Sequence, residues 1–130
     1  MSDRTNISTG SPWEPKLGYS RAVRVGQMVF VAGTTGTGAD GELVGPGDAA
    51  AQTRQALANI VAALEQAGAS ASDVVRTRLF VKDISQWEAI GTAHGEVFGE
   101  IRLAMAMVEV SSLIDPGMLV EIEADAVICA

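Results

Sequence analysis

Leu103-Ala104-Met105-Ala106-Met107-Val108-Glu109-Val110, followed after the Asp115-Pro116-Gly117 connection by Val120-Glu121-Ile122-Glu123-Ala124, decides the fold. Both halves alternate with a period of two, the signature of a β-strand. In the first strand, Met105 to Ser111, the side chains of Met105, Met107, Glu109 and Ser111 share one face, while Ala104, Ala106, Val108 and Val110 share the other. In the second, Leu119 to Ile128, Glu121, Glu123 and Asp125 oppose Val120, Ile122, Ala124, Ala126 and Ile128. The apolar set of the last strand is suited to pack on helices. That places the carboxylates on the side turned away from the helices, and the methionine face with them.

Working outward, Gly47 to Ala67 has helical periodicity, with Ala50, Thr53, Leu57, Ile60, Leu64 and Ala67 at spacings of three and four. Asp48 can cap its start and Gly68 can end it. Ser85-Gln86-Trp87-Glu88 reads as a capping box opening a second helix, whose apolar face carries Trp87, Ile90, His94 and Val97 or Phe98. Between the helices, Asp73 to Val81 is a β-branched strand. Upstream, Arg21 to Val25 and Met28 to Ala32 flank Gly26-Gln27, a two-residue type II′ hairpin pattern. Residues 1–17, polar and holding Pro12 and Pro15, read as an extended arm. The order strand, strand, helix, strand, helix, strand, strand implies an α+β domain over 18–130, with two helices packed on one face of a mixed sheet.

The chain has 130 residues, enough for one domain with a true core. Its formal charge is -7 and its pI about 4.5, which argues against binding nucleic acid. A single cysteine, Cys129, allows no intrachain disulfide and makes a reducing, cytoplasmic setting the default expectation. No apolar run is long enough to span a membrane. One histidine and one cysteine do not make a protein zinc site, and no metal or cofactor is expected.

Several motifs occur in order along the chain: Gly18-Tyr19-Ser20-Arg21-Ala22-Val23, Phe30-Val31-Ala32-Gly33, Gln52-Thr53-Arg54-Gln55-Ala56-Leu57-Ala58-Asn59, Phe80-Val81-Lys82-Asp83 and Glu121-Ile122-Glu123-Ala124. Together they resemble the Rid family, the YjgF-type proteins whose founding members hydrolyse reactive 2-imino acids. The resemblance implies a chorismate-mutase-like fold, a homotrimer and three clefts at subunit boundaries. It also implies that Met105, Met107 and Glu121 line the cleft, with Tyr19, Ala32, Gly33 and Thr34 nearby and Gly91 at the position of a cleft asparagine. In the family's deaminases an arginine holds the substrate carboxylate; this chain has Met105 there.

A thioether donates no hydrogen bond, so the pocket is expected to favour neutral ligands and to act weakly on 2-imino acids. Arg102 would need a bulge to take the arginine's place, and Arg78 is a more distant candidate. Glu121, in an apolar setting, is expected to act as general acid or base, with Tyr19 stacking on the ligand or donating to it. His94 reads as a packed or interface histidine, and Glu123 and Asp125 as an acidic face paired with arginines.

Three functions follow for the small-molecule cleft. One is hydrolysis of an imine or enamine. A second is a non-catalytic small-molecule binding module. The third is a redesigned pocket in which the carboxylate abstracts a proton or assists conjugate addition to a carbonyl compound.

Overall fold

The computed structural model describes residues 3–129. Its elements are β1 (Arg4–Ile7), α1 (Trp13–Leu17), β2 (Ala22–Val25), β3 (Met28–Thr34), α2 (Ala49–Gln66), β4 (Val74–Val81), α3 (Trp87–Phe98), β5 (Ala104–Glu109) and β6 (Val120–Val127). The six strands form one sheet in the order β1-β2-β3-β6-β4-β5. Every pairing is antiparallel except β4 with β5, which runs parallel. A parallel pair needs a crossover, and α3 supplies it.

Local chemistry explains most of these elements. The β2–β3 turn pairs Val25 with Met28 around Gly26, whose φ is +59°, while Gln27 keeps a negative φ. That combination is the II′ turn expected from Gly-Gln. The Asp48 side chain accepts a hydrogen bond from the Ala51 N–H and caps α2. Gly68, at φ +86°, lets the chain leave the helix in the left-handed region.

One sheet face packs on α2 and α3. Val29, Val31, Leu79, Val81, Val120, Ile122, Ala124 and Ala126 meet Leu57, Ile60 and Leu64 of α2 and Ile90 and Phe98 of α3. The opposite face stays open, presenting Phe30, Arg78, Phe80, Glu121, Glu123 and Asp125.

Four expectations are corrected. The expected extended arm of residues 1–17 is extended only in part: β1 pairs in register with β2, burying Ile7, and Trp13–Leu17 is helical. The capping box at Ser85 does not form; the Asp83 side chain accepts from Ser85 N–H and opens a 3₁₀ turn leading into α3. The buried face of α3 is Ile90, Ala93, His94 and Phe98, while Trp87 is 58% exposed. Trp87 is the first residue of α3, at the end of the packed stripe, where its side chain stays in solvent.

The fourth correction concerns the methionines. Parallel register sets Met105 beside Thr77 and Met107 beside Leu79. Thr77 and Leu79 are buried beneath the helices, and laterally paired residues in a sheet project to the same side. Met105 and Met107 therefore lie on the helix side, and Glu121 on the open side. Alternation separates the two faces of an edge strand, but only its register with β4 says which face is which.

Candidate functional site

The open-face site begins at the C-terminal end of β3. The register with β6 shifts between Val31 and Thr34, a bulge that re-aims Ala32 and Gly33. Gly33 needs no unusual φ; its requirement is space. A Cβ there would collide with Glu121 Oε2 and lie 3.0 Å from Glu121 Cδ. The Glu121 carboxylate thus rests against the Gly33 backbone.

Arg21, just before β2, completes the cluster. Its Nη1 donates to Gly33 O at 2.9 Å and to Thr34 Oγ1 at 2.9 Å. The Thr34 hydroxyl in turn donates to Ala32 O at 2.7 Å. The guanidinium carbon sits 5.6 Å from the Tyr19 ring centroid, a cation–π contact. Tyr19 is held from behind: its N–H donates to Glu14 O, and Gly18 at φ +79° makes the turn. Glu14 is buried and accepts from the Thr9 hydroxyl at 2.7 Å. Burial alone would raise its pKa, but hydrogen bonds from Thr9 and Ser8 and the charge of Arg21 outweigh it and lower the value.

Glu121 behaves differently from its two neighbours on the strand. Arg78 Nη1 lies 3.5 Å from Glu123 and 3.2 Å from Asp125, so that pair forms the arginine-paired acidic face expected. Glu121 joins no ion pair among the described residues. Its pKa is raised, first by burial and also by the Glu123 charge, with Arg21 opposing. An unpaired, half-buried carboxylate whose pKa is raised is suited to taking up and returning a proton. On the same sheet face a cleft of about 630 Å³ is bounded by Tyr19, Ser20, Phe30, Ala32, Arg78 and Glu123, and Glu121 is not among the residues that line it.

The residues singled out in the sequence therefore fall into two groups. Tyr19, Ala32, Gly33, Thr34 and Glu121 come together. Gly91, Met105 and Met107 lie on the helix side, where Met107 packs against the core and Met105 is 45% exposed. Met105 borders a second hollow of about 390 Å³ with His94, Gly95, Phe98, Gly99, Arg102 and Leu103. Gly91 stands one turn before Gly95 on α3. Arg102 lines this hollow from the turn after α3, where its backbone is left-handed, with φ +57°. His94 is buried, bonded through Nε2 to Thr77 Oγ1 at 2.9 Å, with its ring centroid 4.8 Å from that of Phe98 and the two planes tilted by 47°. Burial lowers its pKa, so it is a neutral packing residue at pH 7. Among the described residues no three potential ligands cluster to hold a metal.

Arg21 is the site residue that sequence reasoning missed. A signal was present: Arg21 is two residues from Tyr19, and its parity against buried Ala22 places it on the open face.

Nearly the whole of this chain, a six-stranded sheet with two long helices on one face, matches a known family. The model of the endoribonuclease L-PSP family covers residues 10–128. The chain belongs to that family. A solved member of the YjgF/YER057c/UK114 family from Mycobacterium tuberculosis is 56% identical, with a TM-score of 0.87, covering 96% of this chain and 99% of the other. A RutC family protein of Pyrococcus abyssi is 41% identical over 109 residues, 83% of this chain and 84% of its own length. The 3-aminoacrylate deaminase RutC of Acinetobacter baylyi is 36% identical over 116 residues, 89% of this chain and 90% of its own. The α+β architecture is thus the chorismate-mutase-like fold of the YjgF-type family. Among the described residues no helix is long and apolar enough to cross a membrane.

Proposed function

We propose that this family member hydrolyses small imines or enamines, with Glu121 as the proton-transferring group. The observation that carries the reading is the Glu121 carboxylate itself: half-buried, unpaired, raised in pKa and seated on the Gly33 backbone. In the reaction, water adds to the imine carbon. Glu121 takes a proton from that water and passes it to the nitrogen. The carbinolamine then releases ammonia as Glu121 carries the hydroxyl proton to the leaving nitrogen, which leaves a carbonyl compound and restores the carboxylate. Tyr19, at the cleft edge, stacks on the substrate. The deaminase activity in the name of the Acinetobacter relative is consistent with this class of chemistry.

The site operates within a homotrimer in this reading. Phe30, Met28, Val75 and Val108 are exposed on the open face or its margins, and β5 is an edge strand whose residues 104–108 carry no charge. Such surface calls for a partner. A neighbouring copy could bring its Met105 and Met107 toward Glu121, joining the two groups that one protomer keeps apart. Nucleic acid is a poor substrate for a chain of charge -7. The single exposed Cys129 suits a cytoplasmic setting.

The test is ammonia release from an imine generated in situ by an amine oxidase. Glu121→Gln should cut the rate at least 100-fold without lowering the melting temperature. Turnover undiminished in that variant would remove Glu121 from the mechanism. A binding module is the second reading, favoured by the Met105–Phe98 hollow. Ligand-induced thermal stabilisation in the absence of any turnover would support it.

A further inference from the structure

We propose that Glu14 is the positioning residue of Tyr19: it clasps residues 8–20 shut and so sets the ring on which the substrate stacks. This rests on the reading of Tyr19 as the stacking group of an imine-hydrolysing site.

Residues 8–20 leave the sheet and return to it at one place. Ile7 pairs with Ala22, and the Arg21 N–H donates to Ile7 O at 2.9 Å. The stretch between is a surface loop with its ends together, a class held by its own side chains. Apolar burial does not hold this one. Trp13 is 58% exposed and Leu17 66%, and Glu14 is the one buried residue of α1. Among the described residues Glu14 is also the only buried acid. A loop that turns its tryptophan and leucine outward and its carboxylate inward inverts the usual order.

The hydrogen bonds of Glu14 account for the inversion. Its Oε2 accepts from the Thr9 hydroxyl at 2.7 Å and from the Thr9 N–H at 3.3 Å, which holds the outgoing end. Its carbonyl accepts from the Gly18 N–H at 2.9 Å and from the Tyr19 N–H at 3.0 Å, which holds the returning end. One residue thus ties position 9 to position 19. A hydroxyl 2.7 Å from a carboxylate oxygen has the length of a charge-assisted bond, the stronger kind.

Tyr19 depends on that knot. With Glu14, Pro15 and Gly18 it forms one wall of the 630 Å³ cleft. Its ring lies against the Arg21 guanidinium, which Gly33 O and Thr34 Oγ1 hold in place. Released from Thr9, the loop can swing at Gly18, whose φ of +79° only a glycine adopts freely, and carry the ring off Arg21. A ring already fixed loses less freedom when a ligand stacks on it, so the clasp acts on substrate affinity.

The experiment compares Thr9→Val, which removes the hydroxyl, with Thr9→Ser, which keeps it, at an exposed position. Ammonia release is followed with the imine that a flavin amine oxidase forms from benzylamine. Thr9→Val and Glu14→Ala should raise KM about three- to tenfold, the scale of one stacking contact, with kcat within about twofold of wild type. Thr9→Ser should restore the wild-type KM. An unchanged KM in Thr9→Val, or an equal rise in Thr9→Ser, overturns the proposal. A lower melting temperature with KM unmoved also overturns it, because the clasp would then serve stability alone. If Glu14→Ala does not fold, the Thr9 pair decides. If wild type turns over no imine, the hydrolase reading fails and the positioning is still tested. Tyr19 is the only tyrosine of the chain, so ¹³C-labelled tyrosine gives one set of ring resonances. Thr9→Val should move them toward the values of free tyrosine and Thr9→Ser should not; resonances unmoved in Thr9→Val overturn the proposal.

Discussion

Gly33 and Glu121 act as a single unit. The carboxylate occupies the space a Cβ would fill, so Gly33→Ala displaces the far end of a flexible side chain and leaves the backbone in place. Imine turnover should fall by roughly 10- to 100-fold, in line with misplacing a catalytic group by about 1 Å, while the melting temperature changes little. An alanine variant of full activity would separate Glu121 from the chemistry. The raised pKa of Glu121 has a definite sign in stability. Its stabilising contribution is fully present below the unfolded carboxylate value of about 4.3 and is lost as pH rises through the folded value. Melting curves of wild type and Glu121→Gln should therefore diverge in favour of the variant from pH 4 to pH 7; parallel curves would contradict the buried carboxylate. At this scale the sequence was informative about chemistry but not about neighbours. Tyr19, Gly33 and Glu121 were identifiable as residue types in motifs. That Arg21 joins them depends on the β2–β3 register and on a side chain reaching over Gly33.

Helix α2 does more than cover the sheet. Gln52 is fully buried and clasps three backbone groups: its amide donates to Gly45 O and Gly117 O, and its carbonyl accepts from Leu119 N–H at 2.9 Å. Asn59, two turns on, donates to Thr35 O and Thr37 O. These bonds tie the loop after β3, and the connection into β6, to one rigid helix, and so fix the two strand ends that carry Gly33 and Glu121. Gln52→Ala should cost about 2–3 kcal/mol, because buried backbone groups lose their partners; chemical denaturation measures it, and a loss below about 0.5 kcal/mol would mean water replaces the clasp. The turn after α3 holds the opposite opportunity. Arg102 adopts φ +57° and is exposed, so Arg102→Gly should stabilise by up to ~1 kcal/mol by relieving the left-handed strain, again read by denaturation. The start and stop of α2 were legible because Asp48 and Gly68 act locally. The entry to α3 was not, because Asp83, and not Ser85, accepts the capping hydrogen bond and a 3₁₀ turn precedes the helix.

The whole molecule is a sheet with one covered face and one open face. Phe30 is 41% exposed at the centre of the open side, between Val23 on β2 and Asp125 on β6. Phe30→Asp should leave the protomer folded and shift a trimer to monomer in light scattering; a wild type that is already monomeric would dismiss the trimeric reading. By itself the sequence determined the element order, the α+β class, the faces of β6 and the caps of α2, because periodicity, turn chemistry and capping act over a few residues. Only the tertiary structure decided that residues 4–7 complete the sheet, that Met105 and Met107 side with the helices, and that Arg21 stands by Glu121. Those outcomes depend on which strand lies beside which, and in what register. Such pairing is set by burying one face of the entire sheet at once, a condition that no short segment contains.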